Sequence, residues 1–187
     1  MQYIELTLSD PASNLACDEA LVQLFEARRA TDGLLRIWEP QNYFVVLGHS
    51  NRIDSEVDVP ACQTEGVSIF RRLSGGGTVM QGPGCLNYSL FLRNGVDVPS
   101  GITEAFQFVL EHHKQCIQQL IEDRVEIAGI SDLVVNRRKF SGNAQYRKRG
   151  FTLVHGTFLL NLDPTIVARC LRLPSKQPAY RRNRPHG

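Results

Sequence analysis

Three groups of residues in this 187-residue chain are of types that do chemistry. The first is the run RRLSGGGTVMQGPG, Arg71 to Gly84. Consecutive glycines permit positive φ and admit another group close to the backbone, so that successive N–H groups can converge on an anion. Arg71 and Arg72 add fixed cations at the same place. A flexible hairpin turn explains the glycine triplet alone equally well, and the two arginines tip the balance toward an anion site. Neither common nucleotide pattern fits, because no Lys-Ser/Thr follows the glycines and no G-x-G-x-x-G opens a helix. The second group is Lys139, which precedes a Ser-Gly-Asn stretch that reads as a turn. A lysine so placed reaches a carboxylate or phosphate as a point charge, with a plain solvent-facing lysine as the alternative. The third is His155, between Val154 and Gly156 in an apolar run, where a satisfied core or edge histidine is the leading reading over a general base. There is no G-x-S-x-G elbow and no cysteine near His155 in sequence.

Strands must carry most of these residues. The segments YIELTL, LLRIW, YFVVLG, VSIF, CLNYSLFLR, VEIAG, DLVV, RKFSGNAQYR and FTLVHGTFLLN are rich in β-branched and aromatic residues or alternate in polarity. The glycine run lies in a connection between two of them. Helical spacing predicts a helix over Asn14 to Arg29, with Ser13/Asn14 as caps, Asp18 and Glu19 in the first turns, and Leu15, Leu21, Leu24 and Phe25 on one side. A second helix is expected from Ile102 to Ile121, and a short third from the Asp163-Pro164 cap through Cys170. Strands outnumber helices without βαβ alternation, so the class is α+β with a mixed, largely antiparallel sheet. Length and a 42% hydrophobic share suit one domain over residues 1–187.

The five cysteines (Cys17, Cys62, Cys85, Cys116, Cys170) are odd in number and never form C-x-x-C, which points away from a disulfide framework or a zinc site. No run is long enough to span a membrane and the N-terminus is not a basic, apolar leader, so a cytoplasmic protein is the default expectation. Residues 1–136 hold nine Lys/Arg and eighteen Asp/Glu, whereas residues 137–187 hold twelve Lys/Arg and one acid, Asp163. That basic end suits an acidic protein partner better than nucleic acid, since aromatics are not interleaved with it.

RRLSGGGTV followed by DLVVNRRKFSGNAQYRKRGFTLVHGTFLLN, with NLACDEAL and LLRIWEPQNYFVVLGHSN upstream, resembles the lipoate-protein ligase A family within the biotin/lipoate ligase superfamily. The resemblance covers nearly the whole chain. It implies a fold related to class II synthetases and a reaction in which ATP activates lipoate or octanoate as acyl-AMP, with transfer to a lysine of a lipoyl-carrier domain. By motif, Lys139 would be catalytic, bridging the α-phosphate and the acyl carbonyl oxygen. Arg72, Ser74, Gly75, Gly76, Gly77, Thr78, Val79 and Met80 would contact the adenylate, with His155 and Gly156 lining its pocket. Asp132 would lie near the phosphate and its Mg2+. The family's His-Asp pair after the glycine loop is missing, since the chain reads Thr78-Val79-Met80-Gln81-Gly82. The accessory C-terminal domain of many such ligases has no room before Gly187, so a separate accessory protein is one expectation. Two related activities use a cysteine nucleophile. At the comparable positions this chain has Leu173-Pro174-Ser175 and Ala128-Gly129-Ile130-Ser131, which favours the ligase class. An octanoyl carrier-protein transferase and a non-catalytic lipoyl-AMP or carrier-binding protein are the competing readings.

Overall fold

The computed structural model describes residues 1–27 and 32–173. In chain order its elements are β1 (Gln2–Glu5), α1 (Pro11–Glu26), β2 (Leu34–Trp38), β3 (Phe44–Leu47), α2 (Ile53–Glu56), α3 (Val59–Thr64), β4 (Ser68–Arg71), β5 (Val79–Gln81), β6 (Cys85–Arg93), α4 (Ile102–Gln118), β7 (Val125–Ala128), β8 (Asp132–Val135), β9 (Arg138–Arg147), β10 (Phe151–Leu159) and α5 (Pro164–Cys170). Seven strands form one sheet in the order β1-β2-β6-β10-β9-β8-β7, and β4-β3-β5 form a second. Among the strands just named, β1/β2 and β3/β4 pair parallel and the rest antiparallel. The mixed, largely antiparallel α+β class is therefore the observed one.

Alternation along β6 and β10 gives the large sheet two apolar faces. On one face, Val22 and Phe25 of α1 pack on Phe91, Phe151 and Leu153. On the other, Ala105, Phe106, Val109 and Leu110 of α4 cover Tyr88, Leu92, Leu133 and Val154. The small sheet packs its Val45, Leu47 and Met80 against Cys62 of α3 and Ile166, Val167 and Cys170 of α5. Trp38, Phe44 and Val46 form a further cluster that joins β2 to β3.

Several expected boundaries move. α1 starts at Pro11, with Asp10 capping Ser13 N at 2.8 Å, so Ser13 and Asn14 are not its caps. The expected end at Arg29 lies outside the described residues. Asn14 and Asp18 are buried in place of Leu24, which is 43% exposed. They meet Arg36, whose side chain is fully buried. Its Nη1 donates to Asp18 Oδ1 and its Nη2 to Asn14 Oδ1, both at 2.7 Å, and Nε and Nη2 reach Leu6 O. Ser89 Oγ donates to the second Asp18 oxygen at 2.6 Å. Burial pushes the Asp18 carboxyl up and the Arg36 charge opposes it. Removing either ionic partner would strand a buried charge. α4 ends at Gln118, three residues before the expected Ile121. The short α2, α3 and β5 were not foreseen. Ser141, Gly142 and Asn143 lie in the middle of β9, so they are not a turn.

Candidate active site

Residues 72–78 cross from β4 to β5 and are held at several points. Arg72 N donates to Leu47 O at 3.0 Å, His49 N to Ser74 O at 2.9 Å, and Asn51 Nδ2 to Thr78 Oγ1 at 3.0 Å. Arg71 Nη1 reaches the carbonyls of Gly48, His49 and Asn51 at 2.8–3.0 Å, so this cation staples the 48–51 turn beside the loop. Arg72 lies inside the loop. Its Nη2 donates to Gly75 O and Gly77 O at 2.8 and 2.9 Å, and its Nε to Ser74 Oγ at 3.0 Å. Burial lowers its pKa to about 10, so it stays cationic at neutral pH. Glycine is required at 76, where φ is +92° and a Cβ would stand 2.9 Å from Arg72 Nη2. Gly75 and Gly77 face open space.

Ser74 is buried, and its Oγ sits 2.6 Å from His155 Nε2. Burial first, and the Arg72 charge second, push the His155 imidazole down to about 3. It is neutral at working pH and too weak a base to activate a hydroxyl. What it does is fasten the loop to β10.

Lys139 reaches this face through an irregularity. Asn136 and Arg137 adopt left-handed φ of 50° and 63°, as a two-residue β8/β9 hairpin requires. Val135 pairs with Arg138 and Val134 with Lys139, but Leu133 then pairs with Ser141, leaving Phe140 as an extra residue. That bulge inverts the parity of β9 beyond it. Lys139 and Gly142, which regular alternation would put on opposite faces, come to share the face of Asp132. Lys139 Nζ ion-pairs with Asp132 Oδ1 at 2.8 Å and lies so close over Gly142 that a Cβ there would be 2.6 Å from Nζ.

Cross-strand pairs extend this face sideways in two rows. Ala144 pairs with His155, His155 with Ser89 and Ser89 with Arg36. Gly142 pairs with Thr157, Thr157 with Asn87 and Asn87 with Trp38. A Cβ on Gly76 would stand 3.7 Å from Ala144 Cβ, so the loop lies over the first row. Of the expected site residues, Arg72, Ser74, Gly75, Gly76, Gly77, Asp132, Lys139 and His155 are thus brought together, and Thr78 closes the same loop, held by Asn51 Nδ2. Three others are not. Gly156 points to the α4 face, where Tyr88 Oη donates to Asn143 Oδ1 at 2.6 Å. A Cβ on Gly156 would fall 2.0 Å from that Asn143 oxygen. Met80 is buried in the core of the small sheet, and Val79 packs against the Trp38–Phe44–Val46 cluster. Asn87 and Thr157, buried polar residues of the second row, and Gln81, which donates to Thr157 Oγ1 from β5 at 2.7 Å, went unread because strand patterning does not say which buried polar residues meet.

No cysteine belongs to this group. Burial pushes the thiols of Cys17, Cys62, Cys85 and Cys170 up, which disfavours the thiolate a nucleophile needs. Among the described residues no three His, Cys, Asp or Glu gather to hold a metal ion. Asp132, already paired with Lys139, is the site's carboxylate, which is too few oxygens for an all-protein Mg2+ cage. Clefts of about 330 and 490 Å³ run along α4, away from this face. Of the basic residues expected to form a docking patch, Arg147 donates to Ser100 O and Gly101 O, and Lys148 pairs with Glu26 at 2.9 Å. Arg149 is exposed, while Arg181, Arg182 and Arg184 lie outside the described residues. Among the described residues no helix is long and apolar enough to cross a membrane.

A family model, the lipoyl protein ligase A/B catalytic domain, matches residues 10–185. A protein of Aeropyrum pernix, named provisionally as a lipoate-protein ligase A, is 31% identical over 89% of this chain, which spans 60% of that relative's length. The octanoyltransferase LipM of Exiguobacterium sibiricum is 30% identical, over 90% of this chain and 69% of its own length. The fold matches a solved bi-partite lipoate protein ligase from Thermoplasma acidophilum, described with its E2 lipoyl domain. The TM-score is 0.81 at 22% identity, covering 94% of this chain and 67% of that one.

Proposed function

Because the chain belongs to the lipoyl protein ligase A/B catalytic family, we propose that residues 1–187 form an ATP-dependent acyl-protein ligase unit acting on lipoate or octanoate. In the first step the acid's carboxylate oxygen attacks the α-phosphorus of ATP and pyrophosphate leaves, giving acyl-AMP. In the second, the unprotonated ε-amine of a carrier-domain lysine attacks the acyl carbonyl carbon. The amide bond forms, AMP departs with the electron pair of the broken C–O bond, and the amine's surplus proton passes to solvent.

The observation that carries this reading is the ammonium of Lys139, set by the bulge over Gly142 on the face to which His155 fastens the loop, with no thiol beside it. Negative charge grows on the carbonyl and phosphate oxygens during transfer, and a fixed ammonium favours that state over the ground state. Asp132 holds the ammonium in place. The backbone of Gly75 to Gly77, free of side chains and edged by Arg72, is suited to phosphate oxygens. Ser74 and His155 give the loop its position.

The partner fitting this chemistry is a lipoyl-carrier domain, as accompanies the T. acidophilum ligase, and an acidic one would complement the basic end of the chain. That ligase is bi-partite, so a separately encoded accessory chain is a candidate helper for adenylation where the loop lacks the His-Asp pair. The kinship with LipM supports a second reading, octanoyl transfer without ATP. Acyl-dependent ATP–pyrophosphate exchange with lipoate, octanoate and biotin decides between them. Exchange with a medium-chain acid is expected. Octanoyl transfer from a thioester carrier without ATP, with no exchange for any acid, would overturn the ligase reading.

A further inference from the structure

Asn136 and Arg137 are the two central residues of the β8/β9 hairpin, and both have positive φ, 50° and 63°. A two-residue turn with that geometry strongly prefers Asn-Gly, because the left-handed region costs a residue with a Cβ and costs glycine nothing. Asparagine at 136 follows that rule. Arginine at 137 breaks it, since a long side chain stands where glycine would relieve the backbone. Strained positions of this kind gather at functional sites, where the side chain has a use beyond the fold. The neighbouring residues indicate that use. Arg137, Arg138 and Lys139 are three successive cations, all exposed, and Lys139 is the one set over Gly142 beside Asp132. Two residues of extended chain span about 7 Å at most, so the Arg137 Cα is no farther than that from the Lys139 Cα. Residues 136–139 include no acid. Glu122 and Asp123 precede β7 and Glu126 lies on it, one strand beyond the hairpin. Farther along the chain the cations are spent within the fold, Arg147 on Ser100 O and Gly101 O and Lys148 on Glu26.

Resting on the acyl-adenylate reading, we propose that the tip of the β8/β9 hairpin is the docking contact for the carrier domain, with Arg137 and Arg138 meeting carboxylates that flank the lysine to be modified. The glycine loop lies over Ala144 toward β10 and leaves the hairpin end of β9 exposed. A carrier that brings its amine to a carbonyl held at Lys139 must therefore set the surface around that amine against the tip. An acidic rim there is drawn in at encounter and a basic one is repelled, so the tip selects the carrier by charge and acts on its rate of arrival.

The test is single-turnover transfer from preformed octanoyl-AMP to an isolated apo lipoyl domain over a range of salt, with ATP–pyrophosphate exchange and melting curves beside it. The proteins are the wild type, Arg137→Gly, Arg137→Asn and Arg137→Asn/Arg138→Gln. Arg137→Gly should melt no lower than the wild type, since glycine suits the turn, yet transfer about threefold more slowly at low salt. Arg137→Asn should do the same, and the double variant should lose about tenfold. These gaps should close toward 1 M salt, where the Debye length is about 3 Å, and exchange should be unchanged throughout. A lipoyl domain with the carboxylates beside its lysine changed to amides should react with the wild type as slowly as the acidic domain does with the double variant, and no more slowly with the double variant. Equal rates for wild type and double variant at low salt, or for the two domains with the wild type, would overturn the docking assignment. An Arg137→Gly protein melting well below the wild type would assign the arginine to the fold, and loss of exchange in step with transfer would assign it to the nucleotide; either overturns the inference. A wild type that transfers to neither domain overturns the acyl-adenylate reading itself, and the docking assignment falls with it.

Discussion

Gly142→Ala isolates the position of the Lys139 ammonium from its presence. A Cβ built on Gly142 falls 2.6 Å from Lys139 Nζ, 2.7 Å from Cε and 3.7 Å from Asp132 Oδ1. Ordinary contact begins at 3.4 Å, so Nζ must retreat by about 0.8 Å (3.4 − 2.6) while the carboxylate keeps its place. The lysine side chain is 40% exposed and flexible, so it yields without disturbing the sheet. The φ of Gly142 is not left-handed, so alanine brings no backbone strain. Folding stability should change by less than about 1 kcal/mol, since alanine also loses less backbone entropy than glycine. The rate should not be spared, because a misplacement of about 1 Å at a reacting centre costs on the order of 100-fold. Single-turnover transfer from preformed acyl-AMP to a carrier domain should therefore slow by roughly 10- to 100-fold, with nucleotide affinity within about threefold of wild type. A folded Gly142→Ala protein transferring at the wild-type rate would show that Lys139 does not act from this position.

Lys139→Ala should cost on the order of 100-fold or more in the same assay while the protein remains folded, and near-normal turnover would return Lys139 to a surface role. Gly156→Ala should do the reverse, lowering stability by about 1–3 kcal/mol as the Tyr88–Asn143 hydrogen bond is broken, while the folded fraction keeps its activity; denaturant titration checks this. Acid should destabilise the protein through its histidines. The folded pKa values of His155 and His113, about 3 and about 4, lie below 6.5, so the unfolded chain binds more protons between those limits. The stability they contribute is complete above pH 6.5 and lost as pH falls toward 4 and then 3. His155→Gln should flatten the fall in melting temperature between pH 7 and 5, and an unchanged slope would refute the assigned shift.

Much of this arrangement was legible in the sequence. β2, β6, β8 and β9 have the bounds their composition suggested, because strong alternation or β-branching leaves a strand few alternatives. The Asp163-Pro164 cap placed α5 correctly. The failures share a cause, which is that a residue type allows several uses and only tertiary packing selects one. Asn14 and Asp18 have good capping chemistry, yet Arg36, 22 and 18 residues away in sequence, claims them. Ser141-Gly142-Asn143 has turn composition, yet the glycine is there because Lys139 passes over it. α2 and α3 span four and six residues, too short for a helical period to show. The bulge at Phe140 leaves no mark in the sequence.

Adjacent residues His155 and Gly156 show why motif and mechanism come apart. They are neighbours in the sequence and both fall within the stretch that carries the family resemblance, but alternation along β10 sends them to opposite faces. His155 meets Ser74 and so governs where the glycine loop lies. Gly156 makes room for a hydrogen bond between β6 and β9 under α4, so its demand is steric and belongs to the fold. The same division separates Phe140 from Lys139. The extra residue of the bulge packs its ring near Phe158 on the α4 side, their centroids 6.4 Å apart, and the lysine is thereby carried to the other face. Stability is invested on the α4 face and chemistry on the loop face, with one bulged strand serving both. Substitutions along β9 and β10 should therefore alternate residue by residue between loss of fold and loss of rate, a pattern that conservation of the whole motif would conceal.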